Sequence, residues 1–228
     1  MKIIDDFFDN PLEIRNRGLE YAKELEYKYP FMLSDNGAWP GFRICSNRVG
    51  KEKMYEIVGN SYVEKIKSNI SEDIDLDQIS LQWVSSIWTK GAVHTDYPND
   101  HISITYLSED PPPNSGTEVY PNYKFEELAA YWRDNEKSKL GALIRPFDMH
   151  KQAFYLSDKN EKKAKYYLPR LEKLNGHFKD PVIAPNKFNR NIIYNSRLLH
   201  RAQNFFGDDL SDLNSSRMTL VSFWNDKK

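Results

Sequence analysis

His94 and Asp96 stand two residues apart in the stretch GAVHTDYPND (91–100), in a chain of 228 residues that contains five histidines. On an extended backbone the side chains of residues i and i+2 leave by the same face, so this imidazole and this carboxylate address one space. Such a pair can hold a metal ion, and it can equally be hydrogen-bonded to itself on a turn. His200 lies about a hundred residues later, again beside a predicted strand. Two imidazoles and one carboxylate, brought by two distant segments, form the facial triad that binds non-haem Fe(II) and leaves coordination positions open.

A second pattern follows His200. In SRMTLVSFW (216–224), Arg217, Thr219, Val221 and Phe223 alternate with Met218, Leu220, Ser222 and Trp224. Strand alternation therefore sends a guanidinium and a hydroxyl out of one face, where they suit a carboxylate by charge-assisted hydrogen bonds.

The elements that must position these groups are legible in outline. Asn10-Pro11 resembles a helix start, and Leu12, Ile14, Leu19, Tyr21 and Leu25 follow a helical period over about 11–27. The stretch to about 45 is turn-rich, with Pro30, Gly37, Pro40 and Gly41, and carries a short extended piece. Met54, Ile57, Val58, Tyr62, Ile66 and Ile70 predict a second amphipathic helix or helix pair. From about 79 the period changes to two: ISLQWVSSIW (79–88), HISITYL (101–107) and TEVY (117–120) read as strands. FEELAAYWRDNEKSK (125–139) and EKKAKYYLPRLEKLNGHF are helical, the latter broken at Pro169. NRNIIYN (189–195), LLHRAQ (198–203) and SRMTLVSFW return to strand. Helices, then sheet, helical insertion and sheet describe an α+β chain built around a β-sandwich or barrel.

Composition narrows the classes. Lys and Arg total 32 against 33 for Asp and Glu, which gives no electrostatic footprint for nucleic acid or an anionic membrane. The lone Cys45 excludes an internal disulfide framework and any multi-thiolate zinc site, and fits a reducing compartment. Acidic residues fill the N-terminal stretch where a signal peptide needs its apolar run, and no long apolar segment follows. A cytoplasmic protein is expected. No phosphate-binding glycine loop, dinucleotide fingerprint or nucleophile elbow occurs.

WTKGAVHTD (88–96), ISITYLSEDPPPNSGTEVY (102–120), NRNIIYNSRLLHRAQ (189–203) and SRMTLVSFW together resemble 2-oxoglutarate/Fe(II)-dependent oxygenases of the prolyl-hydroxylase-like kind, in particular uncharacterised members from phages and marine bacteria. The resemblance implies a double-stranded β-helix, a jelly-roll of two facing sheets. It implies His94, Asp96 and His200 as iron ligands, Arg217 as partner of the 2-oxoglutarate C5 carboxylate, and Thr219 as its helper. Tyr106 matches the tyrosine of a tyrosine-leucine-asparagine motif and joins the cosubstrate contacts, with Ser108 in place of the asparagine. Trp88 stands where relatives often carry a tyrosine, so a hydroxyl becomes an indole donor or nothing. Ser115-Gly116 replaces a double glycine. The expected layout is one domain over 1–228: N-terminal helices to about 78, core strands over about 79–122 and 186–225, and a helical insertion over about 123–185. The implied activity is dioxygen-dependent hydroxylation of a C–H bond with release of succinate and CO2.

Plainer readings stand beside these. His101 fits no face with His94; His150 and His177 read as ordinary solvated or hydrogen-bonded residues. Arg217 has Asp208, Asp209 and Asp212 upstream as candidate ion-pair partners. Trp88 and Trp224 suit a core, EKKAKYY a solvated helix face, and DPPPNSG a rigid turn before a lip. A non-catalytic metal-containing jelly-roll and a metallohydrolase on the same scaffold are the rival functions. The primary substrate is not encoded in any readable motif.

Overall fold

The computed structural model describes residues 1–28, 41–86, 90–135, 161–207 and 212–227, with the backbone alone for 26–28, 135 and 161–167. A six-stranded antiparallel sheet runs in the order β1 (Lys2–Ile4), β7 (Asn191–Asn195), β4 (His101–Tyr106), β9 (Arg217–Asp226), β3 (Ile74–Val84), β2 (Phe42–Cys45). A smaller sheet orders β6 (Val182–Ala184), β5 (Thr117–Tyr120), β8 (Leu199–Ala202). The two sheets face each other as a jelly-roll, with α+β surroundings as the sequence implied.

The alternation along β9 decides what each face meets. Met218, Leu220 and Trp224 join the core beneath the N-terminal helices α1 (Pro11–Lys28), α2 (Ser46–Val49), α3 (Lys51–Val58) and α4 (Ser61–Lys67). Ile14, Ala22, Met54, Ile57, Tyr62 and Ile66 come down from those helices onto the same cluster. Each fully buried Ile, Leu or Met contributes about 1.5–3 kcal/mol, so the large sheet owes its rigidity to this layer. A Cβ on Gly18 would lie 2.8 Å from Leu81 Cδ1 and 2.9 Å from Met218 Cε, so α1 rests close on the sheet and a side chain there would have to push the ends of these two flexible residues aside. Val221 and Phe223, from the opposite face of β9, pack between the sheets with Ile102, Ile104, Val119 and Ile192.

The insertion covers the outside of the small sheet. Leu128, Tyr131 and Trp132 of α5 (Phe125–Asn135) and Leu171 and Leu174 of α6 (Glu161–His177) cluster with Tyr120, Leu199, Ala92 and Val93. α6 runs through Pro169, where the sequence predicted a break. A proline removes one helical hydrogen bond, and the apolar anchors at Leu171, Leu174 and Phe178 hold the following turns in place.

Three strands begin or lie where the pattern did not place them. β3 starts at Ile74 rather than 79: Asp75 and Leu76 pair with Asn225 and Trp224 at the end of β9, and Asp77 sits at a bulge before Gln78 pairs with Phe223, so aspartates, depleted in strands, hide the start. β1 pairs with β7, nearly the whole chain away, and β6 is three residues inside the expected helical excursion. Neither is long enough to show a period. The middle of the insertion and the Pro30–Pro40 loop fall outside the described residues.

Candidate metal centre

The segment 91–96 runs antiparallel beside 196–202 and extends the small sheet. Gly91 N donates to Ala202 O (3.1 Å), and Asp96 N donates to Ser196 O (2.9 Å). Between them His94 N donates to His200 O (3.0 Å) and His200 N donates back to His94 O (2.9 Å). The two histidines are thus fixed to each other through their main chains. Asn175 of α6 clamps the same segment: its Nδ2 donates to Gly91 O (2.9 Å) and its Oδ1 accepts from Val93 N (3.1 Å).

This pairing turns both imidazoles and the Asp96 carboxylate inward. Their ligand atoms all lie within 4.8 Å of one another, the one such cluster among the described residues. His94 Nε2 is 3.7 Å from Asp96 Oδ1, and His200 Nε2 is 3.0 Å from Asp96 Oδ2. Each ring is oriented from behind, His94 Nδ1 lying 2.7 Å from Ala92 O and His200 Nδ1 2.9 Å from Leu198 O. A backbone carbonyl can only accept, so each Nδ1 donates to it, and Nε2 is the atom that each ring presents to the shared space. Two imidazole nitrogens and one carboxylate oxygen fit a divalent transition metal and leave its other side open.

The electrostatics agree with that donor set. Burial, followed by the charge on His200, lowers the His94 pKa from its ordinary 6.5 to about 4, so its imidazole is neutral at physiological pH. Burial works to raise the Asp96 pKa, but the neighbouring His200, His94 and Arg43 outweigh it and leave the pKa lowered. Stability linked to His94 is lost on acidification, because between 6.5 and about 4 the unfolded chain takes up a proton that the folded one refuses. The metal-free protein is expected to lose roughly 3 kcal/mol at most over that window, and His94→Gln to lose markedly less, in urea unfolding at pH 7 and pH 4.5. Equal pH sensitivity in the two proteins would contradict the assignment.

Arg217 lies across the same chamber and is 4% exposed. Its Nε donates to Ser115 O (3.1 Å) in the DPPPNSG turn, and its guanidinium carbon lies 5.5 Å from the Tyr106 ring centre and 5.9 Å from that of Phe205. Among the described residues it makes no ion pair; Asp212 caps its own turn through Asn214 N (3.0 Å), and Asp208 and Asp209 lie outside them. Burial lowers its pKa below the usual guanidinium range, which states the cost of holding this charge away from water. Thr219 lines the chamber beside it. The Tyr106 hydroxyl donates to Thr117 Oγ1 (2.7 Å) and so braces the opposite sheet. At Gly116 a Cβ would meet Ala184 O at 2.1 Å, so the second half of the Ser115-Gly116 pair must be glycine for β5 and β6 to close.

Other sequence candidates fall elsewhere. His101 pairs with Asp226 (2.9 Å) where the first residue of β4 meets the last of β9, at one end of the central strands. His177 packs against Tyr131 and Phe178, and Trp224 is core, its indole N–H donating to Ser222 Oγ (2.7 Å). Trp88 and His150 lie outside the described residues. Arg43 and Gln82 line the chamber and were missed, as was Asn175. In FRIC, Phe42 and Ile44 enter the helical core and Arg43 the chamber, an alternation too short to be read from the sequence alone.

The geometry defines a jelly-roll with an N,N,O cluster in its chamber, and solved structures share the fold. Three similar ones are a prolyl 4-hydroxylase from Phytophthora capsici (TM-score 0.51, 13% identity, covering 98% of this chain and 58% of that one), EvdMO1 (0.54, 13%, 99% and 47%) and HygX from Streptomyces hygroscopicus with nickel and 2-oxoglutarate bound (0.56, 9%, 98% and 81%). The chain thus spans about half the length of the first two. No family model and no curated protein matches the sequence.

Proposed function

We propose that this protein is a 2-oxoglutarate-dependent non-haem Fe(II) dioxygenase that hydroxylates a C–H bond, forming succinate and CO2, and that residues 1–228 act as one such unit in the cytoplasm. The observation that carries this is the pairing of two poles in one chamber: three converging N,N,O donors and, facing them, a buried guanidinium with no ion pair among the described residues. A structural metal site needs the first pole alone. A dicarboxylate cosubstrate that chelates at one end and is held by charge at the other needs both. The fold shared with HygX, whose structure holds nickel and 2-oxoglutarate, supports the reading.

In this scheme His94, Asp96 and His200 hold the metal, Arg217 binds the distal carboxylate, and Thr219 adds a hydroxyl donor. Iron and 2-oxoglutarate, when bound, supply the oxidising power that the protein's own side chains lack. The chain's contribution is to fix orientation and exclude water: the reciprocal His94–His200 main-chain bonds and the Asn175 clamp set the ligands, and Ile102, Ile104, Val221 and Phe223 wall the chamber with hydrocarbon.

No helix among the described residues is long and apolar enough to cross a membrane. The decisive experiment loads the protein with Fe(II) anaerobically, adds 2-oxoglutarate and air, and measures succinate. Succinate dependent on iron, 2-oxoglutarate and oxygen is the expected result. Its absence from iron-loaded protein that has bound 2-oxoglutarate would favour a binding protein, and hydrolysis with zinc would favour a metallohydrolase.

A further inference from the structure

Tyr194 is 3% exposed, and its hydroxyl has no hydrogen-bond partner among the described residues. Burying a hydroxyl without a partner costs stability that a phenylalanine would not cost, so an acceptor must be sought for it. The register shows where to look. Tyr194 of β7 stands directly opposite Ile102 of β4, and residues paired in this way share a face of the sheet. Ile102 lines the chamber, and Tyr194 packs with it between the two sheets. The Tyr194 ring meets the His200 ring edge-on, with 5.0 Å between their centres. An unpartnered donor therefore stands against one of the candidate metal ligands.

A second ligand supplies the acceptor. Asp96 Oδ2 lies 3.0 Å from His200 Nε2, and Oδ1 lies 3.7 Å from His94 Nε2, which is beyond hydrogen-bond reach. Among the described residues no hydrogen bond from outside the two histidines reaches either oxygen. A metal bound at Nε2 takes the lone pair of each ring, and a nitrogen so occupied has no proton to give. The carboxylate then spends one oxygen on the metal and keeps the other, buried, with no donor. Metal-bound carboxylates are ordinarily hydrogen-bonded in their turn. Burial first and the Asp96 charge second push the Tyr194 pKa well above the phenol range, so the hydroxyl keeps its proton and can donate. Its polar neighbours are already engaged: the Tyr106 hydroxyl donates to Thr117 Oγ1, and Arg217 Nε donates to Ser115 O.

We propose that the Tyr194 hydroxyl donates a hydrogen bond to the Asp96 carboxylate oxygen that the metal leaves free, and so serves as a positioning residue for that ligand. The proposal rests on the N,N,O ligand set of the oxygenase reading and adds the group that orients its carboxylate. It also explains why a tyrosine is kept at a position where phenylalanine would pack equally well against His200 and Ile102.

Tyr194→Phe tests it, because that change removes the hydroxyl and leaves the ring. Wild type and variant are titrated with Mn(II), and each is unfolded in urea without metal. The variant should bind Mn(II) about tenfold or more weaker, while its metal-free urea midpoint should equal or exceed that of wild type. A purely structural tyrosine would not move these two quantities in opposite directions. Mn(II) should also shift the near-ultraviolet tyrosine absorption of wild type to the red as the phenol begins to donate, and this difference band should be missing from Tyr194→Phe. Equal Mn(II) affinity, a difference band that persists in the variant, or a lower metal-free midpoint overturns the proposal alone. Unchanged Mn(II) affinity with weakened 2-oxoglutarate binding would overturn it by giving the hydroxyl to the cosubstrate. Failure of wild type to bind Mn(II), or equal binding by wild type and His94→Ala, would sink the ligand set and this proposal with it.

Discussion

His94→Ala is expected to weaken Fe(II) binding by at least about a hundredfold and to abolish 2-oxoglutarate-dependent succinate formation. The size of the effect follows from how the site is made. On the proposed ligand set, three ligand atoms within 4.8 Å would give a metal three bonds, and the remaining partners are not free to close up and replace the lost nitrogen. His200 is pinned by its main-chain exchange with residue 94 and by its Nδ1 contact to Leu198 O, and Asp96 by its N–H to Ser196 O. Those main-chain bonds survive in the alanine variant, so the strand stays in place while the donor is gone. The metal-free variant should fold, and with the buried imidazole removed it should also lose less stability between pH 7 and pH 4.5 than wild type. Anaerobic iron titration with circular dichroism as the folding control checks both statements. Iron bound equally by wild type and His94→Ala would remove His94 from the ligand set.

The features legible in the sequence are those written as local periods. H-x-D on an extended segment placed two side chains on one face, and the alternation along 217–224 separated Arg217, Thr219, Val221 and Phe223 from their core-facing neighbours; the structure distributes them in that way. The convergence of His200 on the pair is non-local, and residue types supplied it only as a possibility. What brings it about is the reciprocal main-chain bonding of 94 and 200, to which side-chain patterns are blind. Asn175 escaped notice for the same reason. Nothing in EKLNGHF distinguishes an asparagine that faces solvent from one that satisfies the Val93 N–H and Gly91 carbonyl from a different element. Arg43 was hidden by its setting, since four residues of strand in a turn-rich stretch are too few to establish a face until β3 lies beside them.

Arg217→Met should raise the KM for 2-oxoglutarate by about a hundredfold or more while leaving Fe(II) affinity within about twofold. Removing one member of a buried charge pair typically costs 2–5 kcal/mol in binding, and methionine keeps most of the arginine's apolar bulk against Tyr106 and Phe205. Stability should respond quite differently. Without a ligand the guanidinium is buried and makes no ion pair among the described residues, so its removal relieves a desolvation cost while forfeiting the bond to Ser115 O. The two effects oppose each other, and the metal-free variant is expected to unfold within about 1 kcal/mol of wild type. Urea unfolding of both proteins, with and without 2-oxoglutarate and Mn(II), separates the roles: the ligands should stabilise wild type far more than Arg217→Met. A structural ion pair would give the opposite pattern, with the variant several kcal/mol less stable alone and its cosubstrate affinity intact. That outcome would return Arg217 to the scaffold and leave the N,N,O cluster without its second pole.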